Sequence, residues 1–226
     1  MLDLSAIKLL AFPAKIEAML SQDIADSSYP ISVELSLTNR CSLACRWCGD
    51  KSLRAQHPGE LSIRLVKRLL DALRAGGTRG VVIEGGGEPT IHRGFREIVA
   101  YAGQIGLAAG LVTNGLSTKL IEVAHQFQWI RVSLDASTPQ EYTLEKGKDV
   151  FERVLTNLAQ LVRRGPIMGV GYVVTNANTS RIMEVTERLK GMGVNYIQFR
   201  PVVDHPDLLD GISFPERELK ALEDTR

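Results

Sequence analysis

Residues 31–48 read ISVELSLTNRCSLACRWC, a short apolar run followed by closely spaced cysteines. In the first half, Glu34 and Ser36 alternate with leucines, which is the pattern of a β-strand that has one buried face. The second half holds all the cysteines of the chain, directly after that strand: Cys41, Cys45 and Cys48. The stretch therefore predicts a strand whose exit carries a site with thiol chemistry.

Beyond this stretch, short apolar runs alternate with longer amphipathic segments, as in parallel strands that are joined by crossover helices. Six strands are predicted, near Ser32 to Leu37, Gly80 to Glu84, Ala109 to Thr113, Ile130 to Leu134, Ile167 to Val174 and Asn195 to Phe199. Helices are predicted between them, at Ser62 to Ala75, Phe95 to Ile105, Thr118 to Gln126, Val150 to Arg163 and Thr179 to Lys190. The fold class is α/β. Six βα units are too few for an eightfold barrel, so we expect either a partial barrel or a doubly wound sheet.

The domain organisation follows from the same pattern. Residues 1–30 are expected to form an N-terminal helical appendage with a helix from Ala14 to Ser21, and residues 31–226 a single core domain that ends in a short helix from Glu216 to Glu223.

Composition excludes several classes of protein. The formal net charge is +1, so no nucleic-acid partner is expected. No apolar run approaches the roughly 18 to 20 residues that span a bilayer, so we expect no membrane association and a cytoplasmic location. Three cysteines within eight residues cannot staple distant segments as disulfides, so metal chemistry is the expected use of the thiols.

Two metal centres fit the cysteine loop. Three thiolates can hold three corners of a [4Fe-4S] cluster and leave the fourth iron without a protein ligand. A structural zinc site would need a fourth ligand, which His57 could supply. On the second interpretation the chain is a zinc-stabilised binding module.

Four segments together resemble the radical S-adenosylmethionine superfamily. The cluster motif of that family, C-x3-C-x-aromatic-C, is matched by Cys41, Cys45, Trp47 and Cys48. Gly86-Gly87-Glu88-Pro89 resembles its GGEP motif, and Thr113-Asn114-Gly115 and Ser133-Leu134-Asp135-Ala136 resemble the segments after its third and fourth strands. The resemblance extends over roughly residues 31–201.

The resemblance implies a partial (β/α)6 TIM-like barrel and an oxygen-sensitive enzyme. Its cofactors would be a [4Fe-4S] cluster on the three cysteines and S-adenosylmethionine. It implies that the reduced cluster cleaves S-adenosylmethionine to methionine and a 5'-deoxyadenosyl radical, which abstracts hydrogen from a substrate. An electron donor such as flavodoxin or ferredoxin is then required.

The resemblance also assigns candidate residues to S-adenosylmethionine. Glycines of the turn would let the backbone approach the ligand without interference from a Cβ, Glu88 or a nearby carbonyl would accept from the methionine amine, and Pro89 would fix the turn. Ser133 and Asp135 would contact ribose or the methionine carboxylate, although Asp135 also fits a helix cap. Asn114 fits either a ligand contact or a left-handed turn, and Trp47 either an adenine contact or a hydrophobic plug.

Polar residues at every second position of three predicted strands indicate a barrel interior that holds a polar ligand. We expect Glu34 on the first strand, and Tyr196, Gln198 and Arg200 on the sixth, to contact the substrate; Arg200 could instead pair with Asp204 or Asp207. The expected substrate is a small polar molecule, with a nucleoside or sugar derivative preferred. Radical modification of a ribosomally made peptide is the alternative.

Overall fold

The computed structural model describes residues 12–20, 29–203, 206–208 and 210. The strands are β1 (Ser32–Leu35), β2 (Gly80–Ile83), β3 (Ala108–Thr113), β4 (Trp129–Ser133), β5 (Ile167–Val174) and β6 (Tyr196–Pro201). The helices are α1 (Pro13–Leu20), α2 (Lys51–Gln56), α3 (Ile63–Ala75), α4 (Phe95–Gln104), α5 (Lys119–Val123), α6 (Pro139–Lys146), α7 (Phe151–Leu161) and α8 (Ile182–Gly191). Short 3-10 turns, such as Pro89–Ile91, extend several of the connections.

The six strands form one parallel sheet in chain order, β1-β2-β3-β4-β5-β6. A doubly wound sheet would reverse its strand order at a switch point, so that alternative is wrong. The order confirms the α/β fold and the partial (β/α)6 barrel. All carboxyl ends of the strands meet at one edge of the sheet, which is where ligands bind in this architecture.

The apolar face of each strand packs against the helices. Val81 and Ile83 of β2 and Ile130 and Val132 of β4 are at most 1% exposed and belong to one continuous core. The opposite face lines the interior of the barrel and carries the polar residues, as the alternation in the sequence predicts. The core therefore lies between sheet and helices, and the interior of the barrel stays available for ligands.

The predicted strand positions agree with the structure to within two residues at every end. Ser62 caps α3 by accepting a hydrogen bond from Leu65 N at 3.2 Å, as its position before an apolar repeat suggests. Helix α2 was not predicted, because its six residues carry no apolar periodicity.

The predicted N-terminal helix matches α1 to within one residue at each end. The predicted C-terminal helix lies outside the described residues, and the division of the chain at residue 30 stays a prediction. Within the described part, no helix is long and apolar enough to cross a membrane.

Candidate active site

The cysteine loop follows β1 and lies at the carboxyl edge of the sheet. Its three thiols are free and half-buried. A cavity of about 210 Å³ opens beside them. All but one of the predicted cluster and cofactor residues line it: Cys41, Cys45, Trp47, Cys48, Gly86, Gly87, Glu88, Pro89, Asn114 and Ser133. Segments that are up to 92 positions apart in the chain, Cys41 and Ser133, thus meet around one space.

The glycine turn after β2 is bonded to the cysteine loop. Gly87 N donates to Thr38 O at 2.9 Å, and Glu88 N donates to Arg40 O at 2.8 Å. A Cβ on Gly87 would lie 2.8 Å from Arg40 N and closer still to the carbonyl oxygen of the same residue. The space that a side chain at Gly87 would need is therefore occupied by the Arg40 backbone, next to Cys41. The sequence analysis expected a bound ligand to occupy that space.

The Glu88 carboxylate has a structural role that the sequence did not suggest. It is 3% exposed and accepts hydrogen bonds from Thr90 N and Oγ1, from Thr113 Oγ1 and from Asn114 N, at 2.6 to 3.1 Å. Four donors fill the capacity of a carboxylate. Glu88 therefore ties the loops after β2 and β3 together, and its carboxylate has no lone pair left for a ligand amine.

Asn114 links the same loops to the cysteine segment. Its Oδ1 accepts from Leu116 N at 3.1 Å, and its Nδ2 donates to Ser42 Oγ at 3.0 Å. The left-handed residue of this turn is Gly115, with φ of +74°. Asn114 therefore acts mainly as a brace between the β3 exit and the loop that holds the thiols.

Asp135 is the predicted cofactor residue that does not line the cavity. Its φ of +58° ends the alternation of β4 and turns the carboxylate under the neighbouring strand, where it is 1% exposed. There it accepts a hydrogen bond from Val173 N and forms an ion pair with Lys146. Extrapolating the strand period past Ser133 to a cavity-facing Asp135 was wrong, because the backbone leaves the extended conformation at this residue.

Lys146 is a cavity residue that the sequence analysis missed. It is the last residue of α6, is almost fully buried and lines the cavity of the cysteines. Its ammonium group lies 4.9 Å from the centroid of the Trp47 ring. Burial alone would lower the pKa of Lys146, but the Asp135 carboxylate keeps that pKa above its usual range. A lysine before a C-terminal glycine is common in helices, so the sequence held no specific signal for it.

Helix α6 also fixes the cysteine loop in place. Ala44 N donates to Lys146 O at 3.1 Å, and Arg46 N donates to Glu145 O at 3.0 Å. Thr138 caps the start of this helix, and Gly147, with φ of +72°, ends it against Ala44. The loop is thus held between the glycine turn on one side and the end of α6 on the other.

Two nitrogens at the cavity lack partners in the described part of the chain. Trp47 Nε1 and Arg54 Nε are buried, belong to residues that line the cavity, and make no hydrogen bond. Buried donors without partners are rare in folded proteins, and at a cavity they indicate a ligand. The site thus combines three thiols and a glycine turn with these donors and the cationic side chains of Lys146 and Arg54. This set fits an anionic iron-sulfur cluster with an amino acid beside it.

The described residues give the zinc alternative no support. No histidine lines the cavity of the cysteines, and His57 lines a different cavity, between the β1 edge and residues 56–61. His57, the fourth ligand that the sequence offered for a closed zinc tetrahedron, thus does not line the cavity of the thiols.

A second group of polar residues lies on the interior face of the barrel, on strands that also contribute to the cysteine cavity. We call it the interior cluster, and it consists of Glu34, Glu84, Arg131, Gln198 and Arg200. Gln198 Oε1 accepts from Arg131 Nη1 at 2.7 Å and from Arg200 Nη2 at 2.9 Å. Arg131 Nη2 lies 3.9 Å from Glu84 Oε2.

The sequence analysis assigned only some residues of the interior cluster to the substrate. Glu34, Gln198 and Arg200 were predicted, and the predicted Tyr196 lies beside them with its ring in the space that a side chain on Gly169 would need. Glu84 and Arg131 were not assigned a role. Partial burial, followed by the charge of Glu34, raises the pKa of Glu84. Asp207, the described alternative partner of Arg200, forms no ion pair with it.

Comparison with known proteins finds relatives of this chain. A nucleotide dehydratase of Selenomonas ruminantium, described as S-adenosylmethionine-dependent, is 32% identical over 166 residues, which cover 68% of this chain and 60% of that protein. Mycofactocin maturase MftC of Mycobacterium tuberculosis is 33% identical over 164 residues, covering 69% of this chain and 40% of the maturase. The chain thus spans about half the length of these relatives.

The fold is shared with solved structures. The crystal structure of Streptococcus suis SuiB bound to the precursor peptide SuiA matches 99% of this chain and 52% of SuiB, with a TM-score of 0.73 and 14% identity. The family model described as the radical SAM superfamily matches residues 35–189. This match covers well over half of the sequence and includes the cysteine loop and the glycine turn, and the chain therefore belongs to the radical SAM superfamily.

Proposed function

We propose that this radical SAM enzyme binds a [4Fe-4S] cluster on Cys41, Cys45 and Cys48 and abstracts hydrogen from a small, charged polar substrate held in the barrel interior. The observation that carries the substrate half of the proposal is the interior cluster. Two arginines, two glutamates and a glutamine converge on the interior face, where Glu84, Arg131 and Gln198 are partly buried, and such a concentration of charged and polar groups suits a polar ligand.

The cofactor half rests on the cavity beside the thiols. When bound, the reduced cluster supplies an electron that cleaves S-adenosylmethionine to methionine and a 5'-deoxyadenosyl radical. The three thiolates are the protein ligands in this proposal, and backbone carbonyls of residues 85–87 accept from the ammonium of methionine. Ser133 lines the cavity, and its hydroxyl, which makes no hydrogen bond within the described ranges, is available to the methionine carboxylate or ribose.

Charge and exclusion of water are supplied by the cavity walls. Lys146 and Arg54 provide positive charge beside an anionic cluster, and the buried ion pair with Asp135 keeps Lys146 protonated. The Trp47 ring covers the Lys146 ammonium and presents its Nε1 donor to the cavity. In this proposal these side chains bind the cofactors and shield them from water, and they transfer no proton.

Two further parts of the proposal concern the setting of the reaction. A low-potential electron donor such as flavodoxin or ferredoxin would deliver the electron, because the cysteine loop lies at the open edge of the barrel. Three free thiols suit the reducing conditions of the cytoplasm, which is where we place the enzyme.

The relatives favour two substrate types. Similarity to a nucleotide dehydratase supports a nucleoside or sugar derivative, and this agrees with the charges of the interior cluster. Similarity to a maturase, and the fold shared with a protein solved with its precursor peptide, support a peptide as the second candidate. A peptide would enter through the carboxyl edge of the sheet and bring one charged side chain to the interior cluster.

The experiment that separates these candidates follows hydrogen transfer. Reduced enzyme is incubated with S-adenosylmethionine and with deuterium-labelled pools of either small metabolites or peptides, and 5'-deoxyadenosine is analysed by mass spectrometry. Deuterium in 5'-deoxyadenosine from the metabolite pool supports the proposal, and deuterium from the peptide pool alone supports the second candidate. The Cys45→Ala variant serves as the control for chemistry without a cluster.

A further inference from the structure

The arginines of the interior cluster have bonding capacity that the protein does not use. A guanidinium group carries five N–H donors. Within the described ranges, Arg131 and Arg200 each make one side-chain hydrogen bond, and both go to Gln198 Oε1. The contact of Arg131 with Glu84, at 3.9 Å, is too long for a hydrogen bond. Both forks are therefore open to a further acceptor.

Gln198 holds these two positive groups close together. Like charges repel, and a shared neutral amide oxygen only partly offsets that repulsion. Burial, followed by the charge of Arg200, lowers the pKa of Arg131, against the smaller opposing effects of Tyr196, Glu84 and Glu34. A carboxylate or phosphate between the forks would use their free donors and offset the repulsion between the two cations.

The two glutamates of the interior cluster lack a close cationic partner among the described residues. Glu34 and Glu84 are neighbours on β1 and β2, and the nearest ion-pair partner of Glu84 is Arg131 at the outer limit of such a contact. No lysine is paired with either glutamate in the part of the chain that the structure describes. An ammonium group between the two carboxylates would relieve their mutual repulsion.

The position of the cluster connects it to the cysteine cavity. Glu84 directly precedes Gly85, and Arg131 lies two residues before Ser133 on the same face of β4; Gly85 and Ser133 line that cavity. Gly171 of β5 leaves room beside the Arg131 side chain, because a Cβ there would lie 3.6 Å from Arg131 Cδ. A ligand on the interior cluster would therefore lie next to the cofactor site.

We propose that the substrate is a compact zwitterion, a small molecule whose anionic group binds between Arg131 and Arg200 and whose amine binds at Glu34 and Glu84. This rests on the proposed function and narrows its substrate class to amino-substituted molecules with a carboxylate or phosphate. A network built only to neutralise itself would bring Arg131 and Glu84 to hydrogen-bonding distance, whereas the structure keeps them apart.

The test measures binding of matched small probes to the anaerobic holoenzyme by calorimetry. O-phosphoethanolamine and β-alanine carry both charges, ethyl phosphate and propionate only the anion, and ethanolamine only the cation. We expect each zwitterion to bind roughly tenfold or more tightly than its matched anion, since one charge-assisted contact is added. A preference for O-phosphoethanolamine over β-alanine assigns the anion as phosphate, and the reverse preference as carboxylate.

Two variants test which residues bind the anionic group of the probes and which bind the amine. Arg200→Gln, at an exposed side chain that can be changed without loss of the fold, should weaken the zwitterions and their matched anions but leave ethanolamine unchanged. Glu84→Gln should weaken the zwitterions and ethanolamine but should not weaken the anions, since the lost carboxylate lies 3.9 Å from Arg131 and repels an anion there. Arg96→Gln and Glu122→Gln are matched controls, because these residues form an exposed ion pair at 2.8 Å outside the site.

The outcomes separate this proposal from the proposed function. Zwitterions that bind no more tightly than their matched anions, or variants that weaken all probes equally, would overturn the zwitterion. Formation of 5'-deoxyadenosine by the wild-type enzyme is measured in parallel and tests the proposed function alone. Probe binding without 5'-deoxyadenosine would retain the zwitterion site and refute the radical chemistry.

Discussion

Substitution of Gly87 by alanine is expected to damage the cluster site through the backbone of the cysteine loop. The new Cβ would lie 2.8 Å from Arg40 N and closer still to the Arg40 carbonyl oxygen. Normal contacts of this kind are about 3.5 Å, so the Arg40 peptide must move by roughly 0.7 Å or more. Arg40 immediately precedes Cys41, and the movement is therefore passed directly to a cluster ligand.

The cost of this substitution can be worked from two contributions. Overpacking in a tight site costs about 1 to 3 kcal/mol, and loss of the Glu88 N to Arg40 O hydrogen bond at 2.8 Å costs about 0.5 to 1.5 kcal/mol. Together they predict a loss of about 1.5 to 4.5 kcal/mol in the free energy of unfolding. For a chain of this length that corresponds to a fall of roughly 3 to 18 °C in Tm.

The assay combines thermal unfolding with iron content after anaerobic reconstitution. Gly103→Ala is the matched control, because Gly103 lies within α4 and a Cβ there meets nothing within 4 Å. That control should be neutral or stabilising by up to about 1 kcal/mol. A Gly87→Ala protein with unchanged Tm and full iron content would refute the reasoning, and the glycine would then be required by the ligand alone.

Three further changes have defined outcomes. Lys146→Met leaves the buried Asp135 carboxylate without its counter-ion, and a loss of about 3 to 5 kcal/mol in the free energy of unfolding by denaturant is expected; an unchanged midpoint would show that the pair is not needed for the fold. Burial and then the charge of Glu34 raise the pKa of Glu84 in the folded state, so the ionised form of Glu84 opposes folding. The wild-type protein should therefore lose stability relative to Glu84→Gln as the pH rises through that pKa. A difference in unfolding free energy that does not depend on pH would contradict this prediction. Arg200→Ala should lower the ratio of substrate turnover to 5'-deoxyadenosine formed, whereas an equal fall of both would assign Arg200 to the scaffold or to the cofactor.

Much of the fold was predictable because its signals are local. The alternation of apolar and polar residues in β1 to β6 and the apolar spacing of the longer helices are set by burial of one face. The order of strands within the sheet was not fixed by that pattern, and the partial barrel followed before the structure only from the family resemblance. Helix α2 escaped prediction because it buries no side chain.

The candidate site was predictable where a motif marks it and not where long-range contacts decide. The cysteine spacing marked the cluster loop, and the glycine turn marked the second wall of the cavity. Asp135 was misplaced because a left-handed backbone ended the strand period, and Lys146 was missed because only folding brings the end of α6 to the cysteine loop. Glu88 shows the same limit, since its four donors come from residues whose proximity the sequence does not reveal.

The central claim, that Cys41, Cys45 and Cys48 hold a cluster that cleaves S-adenosylmethionine, is tested most directly by 5'-deoxyadenosine formation in the reduced, reconstituted protein. Wild type should contain about four irons and four sulfides per chain and should release 5'-deoxyadenosine, while alanine at any one of the three cysteines should abolish the product and most of the bound iron. A wild-type protein that binds one zinc and releases no 5'-deoxyadenosine, or a cysteine variant with normal product formation, would contradict the account.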